Sequence, residues 1–456
     1  MNHIAVKAVL KACAKEMGDY QAMANKVIVA GGGASGLAAA IFAAANGAHV
    51  TVLEHNERVG KKILMTGNGK CNLTNMSDMH GKYYSSDKRS LDKIYAALSK
   101  FDAVKTREFF RKIGLYTKEK KGGGVYPVSE QASIVLDVLR SECGRLGINI
   151  QTDCEITSIT PDKAGGAVSV TRYIRENKEQ SKSDSKNKKN TTVSKRKETV
   201  RYDKLILATG GKAAPYSGSD GSGYGLVKSL GHSIIEPLPA LVQLKCAGDF
   251  FRSVSGVRAQ GRIMLYIDGK PEAGEEGELQ LTDYGISGIP VFQISRLASR
   301  ALYDGKKCAA GINFIPFIPD DAEWNIMQYH YKTVEEFLSG LVHKKIAAVI
   351  CRLNGISSGM TVGQTGEDIV RKCLKSLADF RVKITEPNTF ENAQVCCGGV
   401  PLMEVGGSFE SYKCDHVYIV GELLDCDGIC GGYNLQWAWA TGAIAGESAA
   451  GQFIKK

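Results

Sequence analysis

The sequence predicts an α/β protein whose main sheet is built from both ends of the chain, with the intervening chain inserted between them. Near the N-terminus, a buried strand, a glycine-rich turn, an apolar helix and a second strand follow one another, which is the pattern of a βαβ unit. Near the C-terminus, "VYIVGE" predicts a further buried strand before a long helix. Between these ends, alternating residues around a Gly269 turn predict antiparallel strands.

The N-terminal elements lie in "NKVIVAGGGASGLAAAIFAAANGAHVTVLE", whose glycines have the spacing of a dinucleotide-binding turn. Gly31 permits the tight turn, Gly33 lets the backbone approach a pyrophosphate, and Gly36 allows the helix and the strand to pack closely. The helix that follows directs its free N–H groups and the positive end of its dipole at the phosphates.

The second strand ends at Glu54, which is placed to accept hydrogen bonds from a ribose diol. A carboxylate at this position repels a 2′-phosphate, so NADP is disfavoured at this first site. The motif does not distinguish FAD from NAD.

The segment "GKKILMTGNGKCNLTN", residues 60–75, follows this acid and combines lysines with glycines and asparagines. It shows no helical period, and we interpret it as a loop folded along the bound cofactor. In this interpretation the lysine charges balance the pyrophosphate, and Cys71 has a positional role because no second cysteine is near it in the sequence.

The C-terminal strand, the acidic glycine-rich loop after it and the final helix complete a nucleotide site, as in two-domain flavoproteins. In that arrangement Asp425 faces the ribityl or pyrophosphate region, and the helix that begins near Gly432 points its N-terminus at the flavin pyrimidine ring. "YDKLILATGG" predicts another strand that ends in a turn at Thr209 and Gly210. No second complete glycine motif follows, so a nicotinamide donor, NADH or NADPH, is expected to bind only transiently.

The composition allows a sizeable core, since 43% of the 456 residues are hydrophobic and 23% are charged. No apolar run is long enough to span a bilayer and no secretion signal is evident, so we expect a cytoplasmic protein. The 13 cysteines are spread along the chain without a CxxC pair, which favours reduced thiols and no metal site.

Most of the net charge of +10 lies between Arg172 and Lys204, where basic residues exceed acidic ones by seven. Its central part, residues 176–198, has one valine and no other large apolar residue and lies between two strand-like runs, so it predicts a basic, flexible hairpin tip at 175–200. A solvated insertion is the favoured interpretation, and nucleic acid or an acidic surface is the alternative partner.

Four segments together resemble the BaiN/YhiN-like flavoproteins, often described as NAD(P)/FAD-dependent oxidoreductases: "GKKILMTGNGKCNLTN", "GVYPVSEQAS", "GELQLTDYGISGIPVFQIS" and "GELLDCDGICGGYNLQWAWATG". The resemblance extends from about residue 25 to the C-terminus. Within the family it is strongest to the branch that reduces 3-oxo-4,6-diene bile-acid intermediates. The resemblance implies non-covalently bound FAD. Other relatives in the family are associated with aminoacetone oxidation.

The resemblance also implies the domain organisation. An FAD-binding, Rossmann-like domain of the glutathione-reductase type is expected at 26–212 and 393–456, a β-barrel-like middle domain at 213–318 and 356–392, and a helical insert at 319–355. Residues 1–25 form an extension outside the family pattern. Many relatives have a histidine where this chain has Asp283, which puts any acid–base role of that position in doubt.

The family's FAD contacts can be carried over onto matching positions of this sequence. The phosphate turn contains Gly31, Gly33, Ala34, Ser35 and Gly36, and Glu54 is the ribose acid. The loop over the cofactor, which we call the covering loop, contains Lys61, Lys62, Lys70, Cys71, Asn72 and Leu73, and Ile156 offers a backbone contact to adenine. Thr209 and Gly210 form the turn that we call the crossing turn, and the flavin end contains Asp425, Asn434 and Leu435.

Three functions remain open at this point. The first is reduction of a C=C bond in a steroid-like or other enone, which needs a donor to the enolate oxygen and an acid for the α-carbon; Tyr126, Tyr284 and Tyr433 are the candidates. The second is oxidation of a small amine or aminoketone. The third is a flavin-containing, nucleic-acid-associated protein that uses the basic hairpin.

Overall fold

The computed structural model describes residues 24–177, 191–319 and 325–451. Its contacts divide the chain into two compact units, Met1–Pro237 with Gly398–Lys456, and Leu238–Cys397. Most of the predicted extension at 1–25, the centre of the basic hairpin tip and the beginning of the helical insert lie outside the described residues.

A parallel sheet forms the centre of the first unit, and its strands come from both ends of the chain. Both Lys204 and Val50 pair with Val27, so the N-terminal strand lies in the middle. Because all neighbours are parallel, their carboxyl ends meet at one edge, where ligands bind in such sheets. The prediction of a Rossmann-like α/β sheet is confirmed. In spatial order the strands are Val417–Ile419, Lys204–Leu207, Lys26–Ala30, His49–Leu53 and Asn149–Gln151.

Helices cover this sheet. Among the described residues of the first unit, the α-helices are Ala34–Ala45, Lys61–Met65, Ser90–Lys100, Ala103–Lys112, Ala132–Arg145, Ser222–Ser229 and Tyr433–Ala450. Short 3₁₀ helices occur at Thr66–Gly69, Pro215–Ser217, Leu402–Glu404 and Gly421–Leu423. We call Ala34–Ala45 the first helix and Tyr433–Ala450 the last helix.

The first and last helices pack closely through small residues. A Cβ atom on Gly442 would lie 2.4 Å from the Ser35 carbonyl oxygen, and one on Gly446 would lie 2.4 Å from the Ala39 carbonyl oxygen. The four-residue spacing of these glycines places them on one face of the last helix. The two helices can therefore approach at backbone distance.

The remaining strands of the first unit form three small sheets. The predicted hairpin is present as an antiparallel sheet, and its edge strand Cys154–Asp162 pairs with Gly165–Asn177, which pairs with Thr191–Tyr202. The other two sheets contain Thr74–Asn75, Thr117–Glu119 and Gly124–Pro127, and Tyr83–Tyr84 with Asp427–Gly428. The strands Ile235–Ala240 and Val395–Gly399 carry the chain from one unit to the other.

The second unit contains a closed barrel, as predicted. In spatial order its strands are Leu244–Cys246, Gly285–Ser287, Lys270–Leu281, Arg258–Ile267, Cys308–Asn313 and Phe380–Pro387. Its described helices are Phe251–Val254, Ile289–Tyr303, Val334–Ser339, Lys344–Leu353, Val362–Thr365 and Glu367–Ala378, with a 3₁₀ helix at Ile326–Tyr329.

The helical part of the second unit extends further than the sequence analysis placed it. The helices Val362–Thr365 and Glu367–Ala378 fall in the range 356–392, which was assigned to the barrel. Their signal is present in the sequence, since Val370, Leu374 and Leu377 are buried at helical spacing. The three-domain division itself stays a prediction, because the contacts separate only two units.

Candidate functional site

The turn after the first strand has the geometry that phosphate binding requires. Gly31 has a φ of +102°, and its N–H donates to the Leu53 carbonyl at 2.8 Å. The first intrahelical hydrogen bond runs from Leu37 N to the Gly33 carbonyl, so the N–H groups of Ala34, Ser35 and Gly36 lie ahead of it. No protein atom lies within 4 Å of the position that a Cβ on Gly33 would take. Donors and open space thus coincide at the start of the first helix.

Glu54 lies at the end of the neighbouring strand and is 7% exposed. Its Oε2 accepts from Gly32 N at 2.8 Å, and its Oε1 accepts from Asn56 N at 2.9 Å and from Asn56 Nδ2 at 2.7 Å. These donors hold the carboxylate beside the phosphate turn. Its position fits the predicted ribose contact, which stays a prediction.

Two buried oxygen atoms at the sheet edge have no hydrogen-bond partner among the described residues. They are Thr209 Oγ1, in the crossing turn, and Asn72 Oδ1, in the covering loop. Asn72 Oδ1 would lie 2.9 Å from a Cβ on Gly432, so it sits beside the start of the last helix. Because buried polar atoms are normally paired, both are positions where a polar ligand is expected.

The covering loop, residues 60–75, is more structured than its sequence indicated. It begins with a short helix, Lys61–Met65, and then turns through Gly67 and Asn68, which have φ values of +56° and +54°. Cys71 follows with a φ of +57° and is completely buried, and burial raises the pKa of its thiol to about 12. A thiol in that state is not a nucleophile at neutral pH, and the positional role of Cys71 stays a prediction.

The lysines of this loop have side-chain partners within the protein. Lys62 Nζ lies 2.7 Å from Glu422 Oε2, and Lys70 Nζ lies 3.2 Å from Glu130 Oε2. Lys61 Nζ donates to Asn56 Oδ1 at 3.2 Å and lies 3.7 Å from Glu57 Oε1. The charge balance between these lysines and pyrophosphate stays a prediction, and the backbone N–H groups of the first helix are further candidate donors to a phosphate.

Glu130 anchors the loop to the adjacent hairpin. Besides Lys70, it pairs with Lys118 at 2.8 Å and with Lys120 at 2.7 Å. The hydrogen-bonded ammonium groups of Lys118, Lys120 and Lys70 lower the pKa of Glu130 to about 2. Glu130 also has a φ of +53°, which a residue with a side chain adopts only when its surroundings hold it there.

We expect Glu130→Gln to loosen residues 66–71 at neutral pH. The folded-state pKa, about 2, is below the ordinary value of 4.5, so the stabilisation is complete above pH 4.5 and is lost as the pH falls toward 2. Hydrogen exchange of this peptide should be faster in the variant at pH 7, and the two proteins should converge in strong acid. Glu119→Gln, on the same hairpin, is the control; equal exchange in all three proteins would contradict the anchor.

The last helix fixes the other side of the site. Its first intrahelical bond runs from Gln436 N to the Gly432 carbonyl, so the N–H groups of residues 433–435, including that of Leu435, lie ahead of it. The Asn434 side chain accepts from Gly428 N and donates to the Gly428 carbonyl, both at 2.8 Å. Asn434 therefore shapes the preceding loop, and the free N–H groups of the helix remain available to a ligand.

Two indoles connect this helix to the site loops. Trp437 Nε1 donates to the Gly421 carbonyl at 3.1 Å, and Trp439 Nε1 donates to the Leu73 carbonyl at 3.0 Å. Both rings are buried in the core. They position the site loops.

Asp425 does not have the predicted surroundings. It is completely buried, and it accepts from Ser85 Oγ at 2.8 Å and from Ser86 N at 2.7 Å. The acid at the sheet edge is instead Glu422, which follows the C-terminal strand and lies 3.1 Å from the Cβ position of Gly211. Sequence reasoning missed it, although its place directly after "VYIVG" parallels that of Glu54 after the second strand.

This correction predicts different effects for two conservative changes. Glu422→Gln should weaken flavin binding with little loss of stability, because its side chain is only partly buried at the edge of the site. Asp425→Asn should lower stability by about 1–3 kcal/mol, because a neutral amide oxygen accepts the bonds from Ser85 Oγ and Ser86 N less strongly than a buried carboxylate does. Flavin titration and urea unfolding of both apoproteins measure the two quantities, and a reversed pattern would restore the original assignment.

Ile156 lies on the edge strand Cys154–Asp162, next to an irregularity in its pairing. An edge strand has backbone groups that face away from the sheet, so the predicted contact to adenine is compatible with this position.

The three tyrosine candidates have different surroundings. Tyr433 is 3% exposed and packs edge-to-face against Tyr83, so it is a core residue. Tyr126 packs against the covering loop, and the ammonium group of Lys120 lies 4.5 Å from its ring centre. Tyr284 lies in the second unit, where its hydroxyl accepts from Asn388 Nδ2 at 3.3 Å. The neighbouring Asp283 is exposed.

A Ser–His–Glu chain in the first unit resembles a hydrolase triad but is structural. Ser411 Oγ accepts from Lys413 N and Cys414 N, both at 2.9 Å, so its proton goes to His232 Nε2 at 2.8 Å. His232 then donates from Nδ1 to Glu404 Oε2 at 2.7 Å. Both lone pairs of the hydroxyl are occupied, and Ser411 is buried, so it is not a nucleophile.

Within the described ranges, no cluster of three or more histidine, cysteine, aspartate or glutamate residues could hold a metal ion. In the same ranges no helix is both long and apolar enough to cross a bilayer.

Comparison with known proteins agrees with this geometry. The family model described as "HI0933-like protein Rossmann domain" matches residues 25–448. The chain is 39% identical to the 3-dehydro-bile acid delta(4,6)-reductase of Clostridium scindens, over 93% of this chain and 99% of that protein. It is 24% identical to the ribosomal RNA dihydrouridine synthase of Escherichia coli, over 91% and 95% of the two chains. A 3-ketosteroid-delta4-(5alpha)-dehydrogenase from Rhodococcus jostii RHA1 is similar in structure, with a TM-score of 0.45 and 15% identity over 94% and 97% of the chains.

Proposed function

The chain belongs to the HI0933-like Rossmann-domain family and is an FAD-dependent oxidoreductase, and we propose that it reduces a C=C bond conjugated to a ketone. The electrons come from NADH or NADPH, and the substrate resembles a 3-oxo-4,6-diene steroid or bile acid. The 39% identity to a 3-dehydro-bile acid delta(4,6)-reductase, which extends over almost the whole of both chains, carries this proposal.

The residues of the first unit fit FAD. The phosphate turn offers backbone donors beside open space at Gly33, and Glu54 and Glu422 bring carboxylates to the same edge of the sheet. Thr209 Oγ1 and Asn72 Oδ1 are buried acceptors that lack a partner among the described residues, as expected where a ligand supplies the donors.

When bound, FAD supplies the hydride that adds to the electron-poor carbon of the conjugated substrate. The phosphate turn and the first helix would hold the pyrophosphate, and Glu54 would hold the ribose. The free N–H groups at the start of the last helix carry partial positive charge, which would stabilise negative charge on the reduced flavin. The covering loop is held by Glu130 through Lys70, by Trp439 and by Asn75, whose amide donates to the Gly431 carbonyl at 3.0 Å.

The test is anaerobic flavin reduction followed by reoxidation. NADH or NADPH should bleach the flavin absorbance of the holoenzyme, and a 4,6-dien-3-one steroid should restore it much faster than buffer. The saturated 3-ketone is the matched control, because it lacks the bond to be reduced. If no enone reoxidises the flavin faster than buffer, the proposal fails; bleaching by a small amine instead would support the oxidase alternative.

A second candidate substrate is uridine in RNA. The C5=C6 bond of uracil is also conjugated to a carbonyl, so the same chemistry applies to it. The ribosomal RNA dihydrouridine synthase relative and the exposed basic strand residues Lys195, Arg196 and Lys197 favour this candidate. Deletion of residues 176–198 should then abolish salt-sensitive RNA binding and uridine reduction. Unchanged binding after the deletion would exclude a role for the hairpin.

A further inference from the structure

Asn56 follows the strand His49–Leu53 and connects the acid Glu54 to the covering loop. The backbone N–H of Asn56 and its side-chain Nδ2 both donate to Glu54 Oε1, at 2.9 and 2.7 Å. Its Oδ1 accepts from Lys61 Nζ at 3.2 Å, and its carbonyl accepts from Asp153 N at 2.9 Å. Asn56 therefore has partners at its backbone and at both ends of its side-chain amide, all within the first unit.

The chemistry of the two neighbours fixes the orientation of this amide. An ammonium group only donates, so the amide oxygen of Asn56 faces Lys61. An ionised carboxylate only accepts, so the NH₂ group of Asn56 faces Glu54. A turn at Gly218 packs against the same group, since a Cβ on Gly218 would lie 2.1 Å from Asn56 Nδ2. An exchange of the amide oxygen and nitrogen would set two acceptors against each other and two donors against each other.

These bonds decide which oxygen of Glu54 is left for a ligand. A carboxylate has about four acceptor sites, two on each oxygen. Asn56 N and Nδ2 occupy both sites of Oε1, whereas Gly32 N, at 2.8 Å, occupies one site of Oε2. One acceptor site therefore remains, and it is on Oε2. Because Glu54 is buried, a ligand is expected to fill that site.

Resting on the proposed FAD-dependent function, we propose that Asn56 is the positioning residue of the adenosine end of the FAD site. Held by Lys61, it keeps Oε1 of Glu54 occupied and presents Oε2 to a hydroxyl group of the adenosine ribose. The proposal depends on FAD as the cofactor and on the ribose contact of Glu54, but not on the identity of the substrate. It also gives Lys61 a role besides the predicted charge balance, because its ammonium group orients the amide of Asn56.

The change Asn56→Asp tests this positioning by its pH dependence. The new side chain must accept from Lys61 and donate to Glu54, which it can do only while it carries a proton. Two carboxyl groups at hydrogen-bond distance disfavour the doubly ionised state, so the pair holds a shared proton at low pH and loses it as the pH rises. Relative to wild type at the same pH, the FAD affinity of the apoprotein should be nearly equal at about pH 5 and on the order of 10-fold weaker at about pH 9. A ratio that does not change with pH would overturn the proposal.

A second flavin separates positioning from support of the fold. FMN lacks the adenosine ribose, so Asn56→Asp should bind FMN like wild type at either pH, as measured by flavin fluorescence. Equal losses for FAD and FMN would show that Asn56 only supports the fold and would overturn the proposal. Asn149→Asp, at an exposed asparagine of the same sheet, is the matched control and should bind both flavins like wild type. Any contribution of His55, which lies beside the same Gly218 turn, is present in all three proteins and cancels.

Lys61 provides an independent variant of the same contact. Lys61→Met should weaken FAD binding about 2–10-fold without changing FMN binding, because the amide of Asn56 loses the partner that orients it. Lys61→Arg should restore the affinity, since a guanidinium group can donate to the same oxygen. Equal losses for FAD and FMN in Lys61→Met would contradict the role of Lys61 in orienting Asn56. If the binding results are as expected but no enone reoxidises the flavin, the proposed function fails while the positioning role stands.

Discussion

Gly36→Ala should nearly abolish flavin binding. A Cβ at this position would lie 1.9 Å from the Gly31 carbonyl oxygen and 3.3 Å from Ala208 Cβ. The neighbouring groups are backbone and strand residues, so the turn at Gly31 must move, and the phosphate donors move with it. We expect flavin affinity to fall on the order of 100-fold, about 3 kcal/mol, and the apoprotein to lose about 1–3 kcal/mol of stability. Fluorescence titration with FAD and urea unfolding of the apoprotein measure these changes.

Two other glycines provide matched controls for this prediction. Gly33→Ala places its Cβ where no protein atom lies within 4 Å, so apoprotein stability should be unchanged while flavin affinity falls. Gly144→Ala, in the helix Ala132–Arg145, also meets open space and should raise stability by about 0.5–1 kcal/mol without affecting flavin. Normal flavin affinity in both Gly36→Ala and Gly33→Ala would show that the turn does not hold the pyrophosphate.

Gln436→Leu should be strongly destabilising, because Gln436 is a buried connection between three segments. Its Oε1 accepts from Thr74 Oγ1 at 2.6 Å and from Thr106 Oγ1 at 2.8 Å, and its Nε2 donates to the Phe101 carbonyl at 2.7 Å. Leucine preserves most of the volume but leaves three buried polar groups unpaired, each at a cost of about 1–3 kcal/mol. We expect a loss of about 3–5 kcal/mol and faster release of flavin, since Thr74 belongs to the covering loop.

The change in the urea midpoint measures this loss. Gln131→Leu is the matched control, because Gln131 is exposed and its side chain makes no capping hydrogen bond. It should shift the midpoint little. A similarly small shift for Gln436→Leu would show that the segments around Gln436 are held by apolar packing alone.

Both predictions concern features that the sequence revealed to different degrees. The role of Gly36 follows from spacing within one βαβ unit. The importance of Gln436 is invisible in the sequence, because its partner Thr74 lies 362 residues earlier and Thr106 lies 330 residues earlier. A glutamine in the first turn of a largely apolar helix gives no sign of whether it faces solvent or the core.

The helices of the second unit show where an assignment from the family's architecture was wrong. Residues 356–392 were assigned to the barrel from the family's architecture, although buried residues from Val370 to Leu377 have helical spacing. The local pattern was the better guide there, because helical periodicity reflects which face of a segment is buried.

The sequence by itself determined the Rossmann-like sheet, the glycine-rich turn after its first strand, the acid Glu54 after its second strand and the family, because these depend on residue order within short segments. Only the tertiary structure decided which candidate side chains already have partners within the protein. It exchanged Asp425 for Glu422, because the donors that occupy Asp425 come from Ser85 and Ser86, about 340 residues earlier. It also gave the loop lysines carboxylate partners, buried Tyr433 and placed Asn388 on the hydroxyl of Tyr284. A side chain's chemistry depends on its neighbours in space, which only the packing of distant segments specifies.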